Sequence, residues 1–229
     1  MKKFAARLLR RAFLPLVPKR FHLPLRYRLS VLDGSCENEL RYLDCIADTG
    51  EIAIDVGANA GLFSYNLSKR FAKVHAFEIN GELTKELAAY NPGNIEIHPE
   101  GLSSQEGTAV LYIPVWKGVP LTGWASLAPG NCPDTNEHVE KSVRICCLDM
   151  FQIAPVSFMK IDVEGHEVEV LKGAVRTIES SRPTVLMEIK EKNLNEVSSF
   201  FAERNYQKKR LQDFINKDGS EENYIFVPK

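Results

Sequence analysis

The sequence predicts an α/β protein built on a mostly parallel, doubly wound sheet. Three observations lead there. Short apolar runs that read as buried strands alternate with segments of helical period along most of the 229 residues. A glycine-containing loop, Asp55-Val56-Gly57-Ala58-Asn59-Ala60-Gly61, lies between the apolar run Ile52-Ala53-Ile54 and the helical face Leu62, Phe63, Leu67 and Phe71. The next apolar run ends on an acid, Glu78, 17 residues after Gly61.

The elements follow in order. Residues 1–35 form a basic N-terminal extension, broken at Pro15, Pro18 and Pro24, and the main domain runs over 36–229. A helix over 36–48 leads into strands at 51–56 and 73–78. Leu83, Leu87 and Tyr90 have helical spacing, so 81–90 is a helix, stopped by Asn91-Pro92-Gly93. A third strand covers 94–98. Alternation then breaks: Thr108–Val115 and Ser142–Leu148 read with period two, as antiparallel strands do. They bound an insertion over 108–148, rich in Gly and Pro, which reads as a lid at the mouth of a ligand site. The strand at 156–162 precedes a helix to about 179 that buries Leu171, Ala174, Val175 and Ile178. Another strand covers 184–189 and another helix 194–204. Segments 207–213 and 223–228 make a closing antiparallel pair, with Asp218-Gly219-Ser220 as the turn.

Strand, glycine loop, helix, strand and terminal acid together form an adenosine-binding arrangement. Glu78 is placed to accept hydrogen bonds from both ribose hydroxyls. The dinucleotide fingerprint is G-x-G-x-x-G, with pyrophosphate on the helix dipole. Here the pattern is D-x-G-x-N-x-G: Asn59 takes the place of the middle glycine and Asp55 precedes the loop. An acid there repels pyrophosphate and suits a cationic ligand, S-adenosylmethionine. An ordinary strand–helix turn and an NAD site are the competing readings.

The motifs Asp55–Gly61, Phe77-Glu78, Ala125-Ser126-Leu127, the long block Lys160–Ala174 and Leu186-Met187-Glu188-Ile189 resemble those of the FkbM-type S-adenosylmethionine-dependent methyltransferases. The resemblance runs from about Glu51 to Pro228, and its Lys160–Ala174 block is the most specific part. It implies a class I methyltransferase, Rossmann-like fold: a seven-stranded, mostly parallel doubly wound sheet with an antiparallel last strand. It also implies methyl transfer, most often to a hydroxyl oxygen of a small molecule, sugar or glycan.

Composition bounds the alternatives. The formal net charge of −1 lacks the basic footprint of a nucleic-acid binder. Five cysteines without paired spacing fit reduced thiols in a cytoplasmic setting. No run approaches a membrane span. Drawn as a helix, Phe4, Ala5, Leu8, Leu9, Ala12 and Phe13 oppose Lys3, Arg7, Arg10 and Arg11. Such a cationic amphipathic helix packs on the domain, lies on an anionic membrane surface at the inner face of the membrane, or belongs to an Arg-rich transit peptide.

Ligands of doubly wound sheets sit at the carboxyl ends of the strands, which directs attention to Asp55, Glu78, Asp162 and Glu188. The cofactor set is Asp55, Gly57, Asn59, Gly61 and Glu78, with Gly101 and Leu102 bordering the adenine. Asp55 either orients the loop or meets the ligand's ammonium. The catalytic candidates are Asp162, Glu164 and His166: Asp162 comes first, as base or acceptor anchor, Glu164 lies beside it before the turn at Gly165, and His166 is either a base or a helix cap facing solvent. Lys160 reads as an ion-pair partner. Asp162 and Glu188 stand where some methyltransferases of this fold hold Mg²⁺; without a clear third ligand, no metal is assigned. Trp116 and Trp124 are candidate acceptor contacts. A non-catalytic membrane-surface or interaction protein and an NAD-dependent oxidoreductase are the alternative functions.

Overall fold

The computed structural model describes residues 16–128 and 137–229. The amphipathic pattern of residues 3–13, Cys132 and the prolines at 129 and 133 lie outside the described residues. Eleven strands and eight α-helices are present among the described residues.

The main sheet contains β1 (Gly50–Val56), β2 (Phe71–Phe77), β3 (Ile95–His98), β8 (Val156–Ile161), β9 (Thr184–Glu188), β10 (Tyr206–Lys209) and β11 (Asn223–Pro228). Their order is β10-β11-β9-β8-β1-β2-β3. Only β11 runs antiparallel to its neighbours, β9 and β10. This is the predicted seven-stranded architecture. β1 is central, and Ala53 to Val56 are buried on both faces, as parallel sheets require. One face packs Ile54, Val56, Phe77, Met159 and Ile161 under the helices that follow β8 and β9. The other packs Ala53, Val74, Ala76 and Phe158 against Leu23, Leu40, Leu43 and Leu87. The period-two alternation of these residues assigns each to its face.

The insertion folds as expected into antiparallel β5 (Gly107–Trp116) and β7 (His138–Cys146), paired from Gly107↔Ile145 to Pro114↔His138. With β4 (Gly101–Leu102) and β6 (Val119–Pro120) it forms a second sheet of order β4-β7-β5-β6.

Three local expectations are corrected. The chain does not break at Pro24: helix α1 spans His22–Asp33 and passes through it. Pro24 is the third helical residue, where a backbone N–H has no intrahelical acceptor to lose. Leu23 is fully buried, and both His22 Nδ1 (3.2 Å) and Arg26 Nη2 (3.0 Å) meet Glu86 Oε1, so part of the basic extension is used internally.

The helix after β8 is two helices, Glu167–Lys172 and Val175–Ser181. They part at Gly173, where a Cβ would lie 2.0 Å from the Ser103 carbonyl oxygen. Asp149 then caps the second helix from outside, accepting from the N–H groups of Arg176 (2.9 Å) and Thr177 (2.8 Å) and from Thr177 Oγ1 (2.7 Å).

Finally, β10 and β11 are not joined by a tight turn at Gly219. A longer connection with a 3₁₀ turn at Leu211–Asp213 intervenes. Gly219 packs against Glu39, which also accepts from the Ser220 N–H at 2.8 Å. Cys36, Cys45, Cys146 and Cys147 are free thiols.

Asp149→Ala removes three hydrogen bonds from one helix start. We expect a loss of about 1–2 kcal/mol in urea denaturation, the scale of a strong N-cap; a change within error would mean that the cap carries no stability.

Candidate active site

The carboxyl ends of β1, β2 and β8 open into a cleft, at the edge of the sheet where ligands of doubly wound folds sit. Its wall includes Gly57, Asn59, Glu78, Gly101, Leu102, Asp162, Glu164 and His166. Thr122, Gly123 and Ala125 to Leu127 of the insertion close it from the other side. Eight of the ten predicted cofactor and catalytic residues therefore share one cavity.

The loop after β1 is shaped by three left-handed residues: Gly57 (φ +74°), Asn59 (φ +50°) and Gly61 (φ +88°). Asn is the side chain that best tolerates this conformation, which explains its presence where the dinucleotide motif has glycine. A Cβ on Gly57 would lie 1.8 Å from the Asp162 carbonyl oxygen, so glycine lets the ends of β1 and β8 meet. Glu78 is fixed by the same loop. Its Oε2 accepts from the Asn59 N–H at 2.7 Å and its Oε1 from the Asn80 N–H at 2.8 Å. Burial raises its pKa, against the opposing effect of those two bonds. Each oxygen retains a lone pair for a further donor.

Two predicted residues do not line the cleft. Gly61 backs onto Leu87, whose Cδ1 would be 2.8 Å from an added Cβ; it is required for helix packing. Asp55 is completely buried under the loop. Its Oδ2 accepts from Ser64 Oγ at 2.5 Å and its Oδ1 lies 4.0 Å from Lys160 Nζ. Of its two proposed roles, the geometry leaves loop orientation. Burial raises the Asp55 pKa, and Lys160 and Ser64 oppose the rise.

Lys160 is an ion-pair partner as expected, 2.9 Å from Asp162 Oδ2, and its ammonium also reaches the Gly57 carbonyl at 3.5 Å. Burial alone would lower its pKa, but Asp162 and Asp55 reverse this and hold it charged.

Beyond β8 the chain turns through Glu164 (φ +50°) and Gly165 (φ +100°). A left-handed glutamate is uncommon and costs on the order of 1–3 kcal/mol. Ser126 Oγ of the insertion donates to the Glu164 carbonyl at 2.7 Å and fastens the turn. This brings oxygens of Asp162, Glu164 and Glu188 within 4.8 Å of one another, supplying the third carboxylate not assigned from sequence. Hard oxygen donors of this kind suit Mg²⁺. Lys190 Nζ already reaches Glu164 (3.2 Å), Glu188 (3.1 Å) and Glu222 (3.1 Å). Sequence reasoning missed Lys190, although its spacing of two from strand-terminal Glu188 puts both on one side of an extended chain. Burial, then the Asp162 charge, pushes Glu188 up to about 7 against Lys190. Glu164 is raised for the same two reasons. His166 sits at the N-cap position of its helix, but its side chain makes no cap bond; its Nε2 meets Ser103 Oγ at 3.0 Å, and burial lowers its pKa.

The methyltransferase FkbM domain model matches residues 55–209. The chain belongs to the FkbM methyltransferase family. Among solved structures it is similar to an FkbM methyltransferase from Methylobacillus flagellatus, with 15% identity and a TM-score of 0.53, covering 90% of this chain and 53% of that one. It thus spans about half the length of that relative. A precorrin-8w decarboxylase from Methanobacterium thermoautotrophicum is similar at 12% identity and a TM-score of 0.50, covering 84% and 90%. An rRNA methylase from Streptococcus thermophilus matches at 11% identity and a TM-score of 0.45, covering 82% of this chain and 92% of that one. At such identities these likenesses concern the fold. A search of curated proteins returned no match. This FkbM-family chain has the class I methyltransferase fold, and S-adenosylmethionine is its family's methyl donor.

Lys160→Met leaves Asp55 buried without its counter-ion. We expect about 3–5 kcal/mol of destabilisation, measured by urea unfolding. The loss should grow with pH. Unfolded Asp55 ionises near its ordinary value of about 4, whereas the folded group holds its proton higher, so the unfolded state binds fewer protons in between and stability falls as pH rises. An equal loss at pH values on either side of that window would refute the buried pairing.

Proposed function

We propose that this FkbM-family protein is an S-adenosylmethionine-dependent O-methyltransferase acting on a hydroxyl of a small molecule, sugar or glycan. The observation that carries the reading is that Glu78 and the Asp162–Glu164 turn face one cleft. One is suited to holding a ribose, and the other is suited to receiving a proton. When bound, S-adenosylmethionine supplies a methyl group already activated by its sulfonium. The protein's task is then to position the acceptor and remove its proton.

In this reading Glu78 accepts hydrogen bonds from the ribose hydroxyls. Gly57 and Asn59 line the methionine part, and Gly101 and Leu102 border the adenine. Glu164, whose raised pKa favours proton capture, takes the hydroxyl proton. Asp162, charge-paired with Lys160, anchors the acceptor. His166, held by Ser103, is the neighbouring neutral group. Lys190 supplies the positive charge among these acids, so no Mg²⁺ is required. The half-exposed faces of Trp116 and Trp124, at 45% and 50% exposure, offer apolar surface for a sugar ring.

Calorimetry with S-adenosylhomocysteine and with NAD tests the cofactor. The first should bind and the second should not; the reverse would favour an oxidoreductase. Glu78→Ala should weaken S-adenosylhomocysteine binding about tenfold or more, near 1.4 kcal/mol. Unchanged affinity would sink the ribose assignment.

A labelled-methyl assay on extract fractions, with separate carbohydrate, small-molecule and RNA arms, tests the acceptor. Activity should survive EDTA. Glu164→Gln should slow transfer on the order of 10²-fold or more with cofactor affinity unchanged. The wild-type rate should rise with pH as Glu164 ionises, and that rise should vanish in the variant. Label appearing only in RNA would overturn the proposed acceptor.

A further inference from the structure

Away from the cleft, the outer edge of the main sheet gathers three metal-ligating side chains that the methyl-transfer reading does not use. Parallel pairing sets His75 of β2 opposite Glu96 of β3, and Phe77 opposite His98. The period of two then places His75, Glu96 and His98 on one face. His75 Nδ1 and His98 Nε2 are 3.0 Å apart. Glu96 Oε2 is 3.9 Å from the first, and Glu96 Oε1 is 3.8 Å from the second. From these geometries we propose that His75, Glu96 and His98 form a binding site for a zinc-type divalent transition-metal ion.

The donor set and its dimensions favour this. Two imidazoles and one carboxylate are a standard three-residue zinc shell with a fourth position left for water. Bonds of about 2.0–2.2 Å in tetrahedral geometry put neighbouring ligand atoms about 3.3 Å apart. The observed separations lie on either side of that value, so small ring and carboxylate rotations close the shell. Coordination through these nitrogens needs each ring's proton on its other nitrogen, which is a tautomer shift without net proton loss.

The surroundings are also suitable. Both rings are almost fully buried, and the His98 ring packs against Phe77, stacked at 4.3 Å, and Phe151, edge-on at 5.0 Å. Desolvation lowers both histidines, His75 to about 4, so they are neutral at physiological pH, the form that binds metal. Glu96 is half exposed on the sheet's edge strand, which gives an ion a path from solvent. Its present partner there is Lys73 Nζ at 2.5 Å, an exposed pair that an incoming ion would replace. Such an ion would clip the edge strand to its neighbour. The His98 carbonyl accepts from the Glu78 N–H at 3.0 Å, so the clip adjoins the acid that ends β2.

The test uses the full chain after chelator treatment, titrated with Zn²⁺ by calorimetry and with Co²⁺ by visible absorption. We expect one ion per chain and a tetrahedral Co²⁺ spectrum without a thiolate charge-transfer band. Glu96→Gln, at a half-exposed position that leaves the histidine pair in place, should weaken binding about tenfold or more, and His98→Gln more strongly. Asp162→Asn should leave it unchanged. Absence of binding, a thiolate band, equal affinity in the wild type, Glu96→Gln and His98→Gln, or loss in Asp162→Asn alone would each overturn the site. None of these readouts depends on methyl transfer.

Discussion

A single buried ammonium organises the floor of the cleft. Lys160 projects from β8 between Asp55, at the end of β1, and Asp162, at the start of the following turn. Burying one charge in this position would be prohibitive; burying it with two opposite charges and a carbonyl is tolerable. The arrangement ties together the two central strands, the glycine loop and, through Ser64, the helix that follows the loop. β1, the glycine loop and the turn after β8 each carry residues of the cleft wall, so the buried pair Lys160 and Asp55 sets their relative positions from beneath, while Asp162 faces the cleft.

Above that floor, left-handed backbone is concentrated where the cleft wall turns: Gly57, Asn59, Glu164 and Gly165. At Gly57 the reason is the close approach of two strand ends. At Glu164 a side chain is retained in a conformation that glycine would adopt more easily, and the Ser126 hydroxyl and Lys190 hold it there. Strain maintained by such contacts is common where side-chain direction matters more than backbone comfort. The insertion is thereby part of the site, since its Ser126 reaches across to the turn beyond β8.

Much of this was legible in the chain itself. Apolar runs such as Ile52-Ala53-Ile54 announce strands buried on both faces, and the spacing from the loop to Glu78 announces that the acid meets the loop, as its bond from the Asn59 N–H shows. The period-two stretch at 108–115 is β5, and that at 142–148 overlaps the second half of β7, which starts at His138 and ends at Cys146. What escaped sequence reasoning depends on neighbours distant in the chain. The break at Gly173 arises from the Ser103 carbonyl, and the burial of Asp55 from Lys160, 105 positions later. The continuity of α1 through Pro24 depends on which residue starts the helix. Lys190 acquires its three acidic partners only when β9, the turn after β8 and the residue preceding β11 are assembled.

Among the described residues, Ser126 anchors the insertion twice, through its bridge to Tyr112 within the insertion and through its bond to the Glu164 carbonyl beyond β8. Between β6 and the start of β7, the chain can lengthen or shorten while those anchors stay in place, because loop extension costs little free energy. One scaffold thus acquires chambers of different breadth through simple insertions and deletions, leaving the glycine loop and Glu78 in place while the far wall diversifies.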